Sequence, residues 1–198
     1  MTVDVVLPAL VLASSSPRRR ELLGQLGLVP ARIVSPDIDE TPRRGEVPRD
    51  YAQRMAREKV LAVEAGVGEV ILAGDTVVGA GRRILPRAVD AAEVAACLTL
   101  LSGRRHRVFS AVVVRAADGM VRARLSETIV AFARLHPDDI RAYAASGEGE
   151  GKAGGYAVQG LAAAFVRQLT GSYSGVVGLP LFETAALLRA SGIPILHG

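Results

Sequence analysis

A few short stretches of this chain carry residue types that can act on an anion. In Ser14-Ser15-Ser16-Pro17-Arg18-Arg19, small hydroxyl residues run into a proline and two arginines. Pro17 suits the first turn of a helix and Ser16 its N-cap. Such a loop offers hydroxyls, unpaired backbone N–H groups and the positive end of a helix dipole. Arginines beside that dipole end are unfavourable unless an anion answers them, and a guanidinium forks onto phosphate oxygens. Ser14 and Arg18 are therefore phosphate-binding candidates, against the plainer reading of an ordinary cap with solvated arginines. Asp75, in Gly74-Asp75-Thr76, leaves an apolar, β-branched string at the carboxyl end of a strand, where α/β sheets place their ligands. A carboxylate there can hold Mg2+ or take a proton from water, or simply cap a turn. Asp37, Asp39 and Glu40 form an acidic loop that could add a metal ligand or remain a surface turn. The tract Gly151-Lys152-Ala153-Gly154-Gly155-Tyr156-Ala157-Val158-Gln159-Gly160 lets backbone approach a ligand closely. In it, Lys152 offers a point charge to phosphate and Gln159 an amide that can read a base edge. A flexible linker explains such glycines equally well, and no GxxxxGK[ST] phosphate loop occurs.

The elements that must position these groups follow from the apolar spacing. Strands are expected at 10–13, 31–35, 70–78, 104–115 and 121–134, and near 164–169. Helices are expected at 17–26, 48–65, 90–101, 137–145 and 179–190, with irregular stretches at 147–160 and 171–175. Strands alternating with helices imply an α/β protein with a mixed sheet. The chain reads as a single domain over 1–198, or as that domain in two lobes flanking a cleft and dividing near residue 100.

Composition narrows the function classes. With 49% hydrophobic residues a substantial core can be buried, but aromatics make up only 4% and tryptophan is absent, so Ala, Val and Leu must fill it. Scarce aromatics argue against a stacking platform for single-stranded nucleic acid, which makes nucleic acid an unexpected partner. The formal charge of +4 comes from interspersed rather than blocked charges, as on a mixed surface or around an anion site. Cys97 is alone, so no disulfide or CxxC site forms within one chain, and its apolar helical surroundings imply a buried thiol. The N-terminal apolar run is interrupted by Asp4 and Pro8 and precedes its basic cluster, the wrong order for a secretory signal and too short for a membrane span. The expected location is cytoplasmic, with no membrane contact. His106, His136 and His197 share no ligand spacing and are expected at the surface.

LASSSPRRRELLGQLG, LAGDTVV, LLSGRRHRVFSAV, ETIVAF, KAGGYAVQG and GSYSGVVGLPLFET, in this order and spacing, resemble the Maf family from about residue 10 to residue 188. The resemblance implies an elongated, mixed-sheet α/β fold with a central cleft, similar to inosine triphosphate pyrophosphatases and often dimeric, so a homodimer is an expectation. It implies hydrolysis of nucleoside triphosphates, standard and modified, to NMP and pyrophosphate with Mg2+ or Mn2+. That is a house-cleaning role, linked in the family to septum formation and cell division arrest. Asp75 falls on the family's proton acceptor, and it would share a metal with Glu40. Arg18, Thr76 and Gln159 fall on positions tied to substrate choice, and Lys59 and Lys152 on basic positions facing the phosphates. Gln159 in KAGxYxxQG marks the dTTP/UTP branch; a 7-methyl-GTP branch carries Glu there. This chain departs at Ile84-Leu85-Pro86-Arg87, which lacks the lysine of a common Gly-Lys-Pro and leaves Arg87 to supply the charge, and at Gly151, where Asp is frequent. The alternative function is a non-catalytic nucleotide- or nucleic-acid-binding regulator of septum formation.

Overall fold

The computed structural model describes residues 7–195. Strand β1 (Ala9–Leu12) leads through Pro17 into α1 (Pro17–Gln25), then β2 (Arg32–Ile33) and α2 (Pro48–Leu61). A long strand β3 (Glu69–Ala80) turns into β4 (Arg83–Leu85), followed by α3 (Ala91–Leu101), β5 (Arg105–Arg115), β6 (Val121–Phe132) and α4 (Pro137–Ala145). A 3-10 turn at Leu161–Phe165, β7 (Val166–Thr170), α5 (Tyr173–Val177) and α6 (Leu181–Arg189) complete the order. The strands form one mixed sheet in the order β2-β1-β3-β5-β6-β7, with β4 on β3. β1 lies parallel to β2 and β3, and the remaining pairs are antiparallel.

Side-chain alternation divides the core. On one face, Leu10, Leu12, Val70, Leu72, Val112 and Val114 pack beneath α1 and α6. On the other, Val11, Ile71, Ala73, Val77 and Val113 meet Ala52, Ala56 and Val60 of α2. A third cluster gathers Val78, Val108 and Val130 at the far end of the first face with residues of α3, α4 and the glycine tract. Between the two clusters of that first face, β3 places Gly74 and Thr76 and β5 places Ser110, so the apolar surface is interrupted by small and polar residues. The outer edge of β3 is interrupted at the same level. It pairs with β1 over residues 69–72 and with β4 over 78–80, which leaves 73–77 without a strand partner on that side. Asp75 stands at the centre of this gap.

Several expected elements differ. β2 is two residues long, and α2 ends at Leu61 rather than 65. β4 is a three-residue strand after the Gly81 turn, too short to show a period. The expected strand near 164–169 begins as the 3-10 turn and is extended only from Val166. The expected loop at 171–175 holds α5, one turn capped by Ser172 Oγ accepting from the Gly175 amide; its glycines hide it from propensity reasoning. Helix α6 starts at Leu181, after Pro180. Cys97 is buried, as its helical setting implies. No helix among the described residues is long and apolar enough to cross a membrane.

His106 corrects another expectation. It is buried rather than exposed, because its position on β5 turns it toward the third cluster, and its Nε2 lies 2.7 Å from Tyr156 Oη. His136 is exposed and caps α4, while His197 lies outside the described residues. Burial pushes the His106 imidazole down from 6.5 to about 4. The folded state thus binds fewer protons than the unfolded one between those values, so this stability is complete above pH 6.5 and is lost as pH falls toward 4. We predict that lowering the pH from 7.5 to 5 costs the native protein about 2 kcal/mol more than His106→Gln, measured by urea unfolding. Equal losses in the two proteins would contradict this.

Candidate active site

The interruption of the sheet opens into a cavity of about 500 Å³, within the range of small-ligand sites. One wall is the chain leaving β1, Ser14 to Arg19; another is the loop at Ser35, Pro36 and Glu40 with Lys59 from the last turn of α2. Thr76 and Val78 of β3 face it, as do Arg87, Lys152, Tyr156 and Val176 to Gly178.

Lys59 organises the carboxylates. Its Nζ lies 2.7 Å from Asp75 Oδ1 and 2.9 Å from Glu40 Oε1. Arg87 Nη2 approaches the same two groups at 3.5 and 3.7 Å. The Lys59 and Asp75 side chains are 6% and 3% exposed, whereas Glu40 is 41% exposed. A carboxylate buried this deeply needs a partner, because desolvation of a lone charge costs several kcal/mol. Burial acts to push the Glu40 carboxyl up, but Lys59 and then Arg87 outweigh it and hold it below its ordinary value. Arg87 thus stands beside both carboxylates. Asp75 opens not on this cavity but on an adjoining recess of about 460 Å³, which Glu40 and Arg87 line as well, bounded by Pro42, Tyr51, Val77, Ile84 and Leu85.

Arg19 is the functional residue that sequence reasoning missed. It is 6% exposed, donates from Nε to the Gly178 carbonyl and from Nη1 to Ser14 Oγ, both at 2.9 Å, and lines the cavity. The available signal was periodicity, since Arg19, Leu22 and Leu23 share the buried stripe of α1. Gly74 borders it: a Cβ there would meet Arg19 Nε at 3.5 Å, an ordinary contact, and crowd the Ala111 carbonyl oxygen at 3.2 Å. Burial, then Arg87, pushes the Arg18 guanidinium down, and burial, then Arg18, does the same to the Lys152 ammonium. Arg18 and Lys152 both line the cavity. Lys152 Nζ also donates to the Glu150 carbonyl. In all, Arg18, Arg19, Lys59, Arg87 and Lys152 line this space with Glu40, and Asp75 is joined to it through Lys59 and Arg87, five cations to two carboxylates, a field suited to a polyanion.

Other expected residues divide. Ser14 is buried under Arg19, and Ser16 heads α1 without a side-chain cap bond. Thr76 Oγ1 donates to the Gly178 carbonyl at 3.3 Å, which ties β3 to the segment after α5, and lies 3.1 Å from Ser110 Oγ. Gln159 is exposed and is not among the residues lining the cavity. The glycines of its tract serve close packing: a Cβ on Gly154 would sit 2.9 Å from Val78 Cγ1, and one on Gly155 3.1 Å from Cys97 Cβ. Among the described residues no group of three or more His, Cys, Asp or Glu could hold a metal. Glu40 and Asp75 meet on one Lys59 ammonium, however, and two carboxylates completed by phosphate oxygens suit Mg2+.

A family model described as Maf-like protein matches residues 9–191. The chain belongs to the Maf family. It is 61% identical over 189 residues to a dTTP/UTP pyrophosphatase of Sphingopyxis alaskensis, covering 96% of this chain and 100% of that one. It is 60% identical to a dTTP/UTP pyrophosphatase of Novosphingobium aromaticivorans, covering 95% and 94%. The solved structure of the Staphylococcus aureus Ham1 protein overlaps 64% of this chain and 72% of its own at 15% identity and a TM-score of 0.44, too loose a superposition to bear on the site.

Removing Lys59 would leave Asp75 buried with Arg87, at 3.5 Å, as its remaining ion-pair partner. Lys59→Met is expected to lower stability by about 3 kcal/mol in urea unfolding, and adding Asp75→Asn in the same chain to recover most of that loss. A loss below about 1 kcal/mol in the single variant would contradict the assignment.

Proposed function

We propose that this protein is a nucleoside triphosphate pyrophosphatase that cleaves between the α and β phosphates, with dTTP and UTP as substrates. The observation that carries this reading is that Arg18, Arg19, Lys59, Arg87 and Lys152 line one cavity with the Glu40 carboxylate, and that Lys59 and Arg87 join it to Asp75 at the adjoining recess. The dTTP/UTP pyrophosphatase names of relatives at 55–61% identity support the substrate class.

Phosphoryl transfer asks mainly for positioning and for charge stabilisation. Ser14 and the backbone at the start of α1 receive phosphate oxygens, and Arg18, Arg19 and Lys152 neutralise them. Glu40 and Asp75 would hold Mg2+ or Mn2+, which supplies Lewis acidity toward the phosphates and the attacking water. Asp75 accepts the proton of that water as its oxygen bonds to the α-phosphorus. The bond to the bridging oxygen breaks, and pyrophosphate leaves with the electron pair, its charge met by Lys59 and Arg87. Gln159 reads the base only if the glycine tract or a bound nucleotide brings it toward the cavity, since its side chain is exposed.

With a panel of standard and modified triphosphates and Mg2+ or Mn2+, we expect pyrophosphate and NMP, fastest from dTTP and UTP. Asp75→Asn should keep the fold and lower kcat by at least about 100-fold. Release of orthophosphate, or near-native turnover by Asp75→Asn, would overturn the assignment.

A further inference from the structure

Glu40 lies in a stretch, residues 34–47, that contains no helix or strand, yet it must hold one carboxylate beside a buried one. Helix α2 restrains this stretch at several points. Tyr51 Oη donates to the Glu40 carbonyl at 2.7 Å, and Arg54 Nη2 donates to the Thr41 carbonyl at 3.1 Å, so adjacent backbone groups are both held. Arg54 Nε and Nη2 each lie 2.7 Å from an oxygen of Glu46, near the far end of the same stretch. Its Nη1 bonds Glu58 Oε2 at 3.2 Å, and its guanidinium lies 5.4 Å from the centre of the Tyr51 ring. This is not a solvated surface pair, since the Arg54 and Glu46 side chains are only 13% and 9% exposed. A forked guanidinium bond of this kind fixes orientation as well as distance. Lys59, five residues further along α2, meets the Glu40 carboxylate from the other side. Neither Arg54 nor Glu46 lines the cavity, so any effect on the reaction passes through the stretch they hold.

We propose that Arg54 is a positioning residue: it fixes the backbone at Glu40 and Thr41 so that the Glu40 carboxylate meets the cation shared with Asp75, with Tyr51 as its second support. This rests on the reading of Glu40 as a cation ligand. Groups that orient metal ligands change metal affinity by roughly 10- to 100-fold when removed, so metal affinity is the readout that separates positioning from mere support of the fold.

The test is Mn2+ binding, followed by electron paramagnetic resonance of the free ion, in full-length protein with α,β-methylene-UTP present. Arg54→Met should weaken Mn2+ by about tenfold while kcat at saturating Mn2+ stays within about twofold of native. Arg54→Lys, which keeps the charge but not the fork, should restore only part of the affinity. Tyr51→Phe removes a single hydroxyl and should weaken Mn2+ roughly threefold; it also answers the question should Arg54→Met fail to fold. Glu40→Gln separates the two layers of the argument. If Glu40→Gln weakens Mn2+ while Arg54→Met and Tyr51→Phe lower only the melting temperature, the positioning role is wrong and the Glu40 assignment stands. If Glu40→Gln leaves Mn2+ binding unchanged, both fall.

Discussion

A carboxylate placed on a buried strand needs a compensating charge, and the rest of this site is arranged around that need. Asp75 is 2% exposed within the buried strand β3, and Lys59 reaches it from the last turn of α2. Neither charge is tolerable alone at this depth. Their pairing therefore fixes how α2 sits against β3, and through Glu40 it also fixes the loop that closes one side of the cavity. In the proposed reaction the same ion pair serves both the fold and the chemistry.

The second constraint is the break in the sheet. Had β1 or β4 continued along β3, the level of Asp75 would be covered by a strand; instead residues 73–77 keep a free edge. On the adjoining face, Gly74, Thr76 and Ser110 replace the large aliphatic residues found on either side. Gly74 lies against the Arg19 side chain, and Thr76 and Ser110 hold the turn after Ser172, Ser110 Oγ donating to the Gly175 carbonyl. An open edge usually invites unwanted strand pairing; here the charged side chains standing over it make it unsuitable for another strand and suitable for phosphate.

Much of this arrangement was legible in the residues, for identifiable reasons. β3 and β5 announce themselves because burial on both faces demands an unbroken Val/Ile/Leu/Ala string. The α1 start is marked by Pro17. Asp75 was expected to leave its strand at the carboxyl end; it lies instead within β3, with Val77, Val78 and Gly79 buried beyond it, at the level that β1 and β4 leave unpaired. Elements of three to five residues, β4 and α5, carry too few positions for a period and depend on tertiary contacts. Arg19 was hidden by its neighbours: three arginines in a row look like one exposed charge cluster, and only the Leu22 and Leu23 spacing shows that one of them turns inward. His106 was misjudged because ligand spacing was asked of it rather than strand parity, which places it beside Phe132 and Tyr156. The separation of Lys59 and Asp75 in sequence, sixteen residues, conceals a contact that only the α2–β3 packing creates; the family resemblance alone pointed to Lys59.

The central claim is that Glu40 and Asp75 share one divalent cation beneath the phosphates of a bound nucleotide. A crystal structure with Mn2+ and α,β-methylene-UTP, measured at the manganese edge, tests it directly. The account predicts an anomalous peak in contact with both carboxylates and with phosphate oxygens, and Arg18, Arg19 and Lys152 around the triphosphate. A peak held by other residues, or a triphosphate outside the cavity between Ser14 and Lys152, would contradict it.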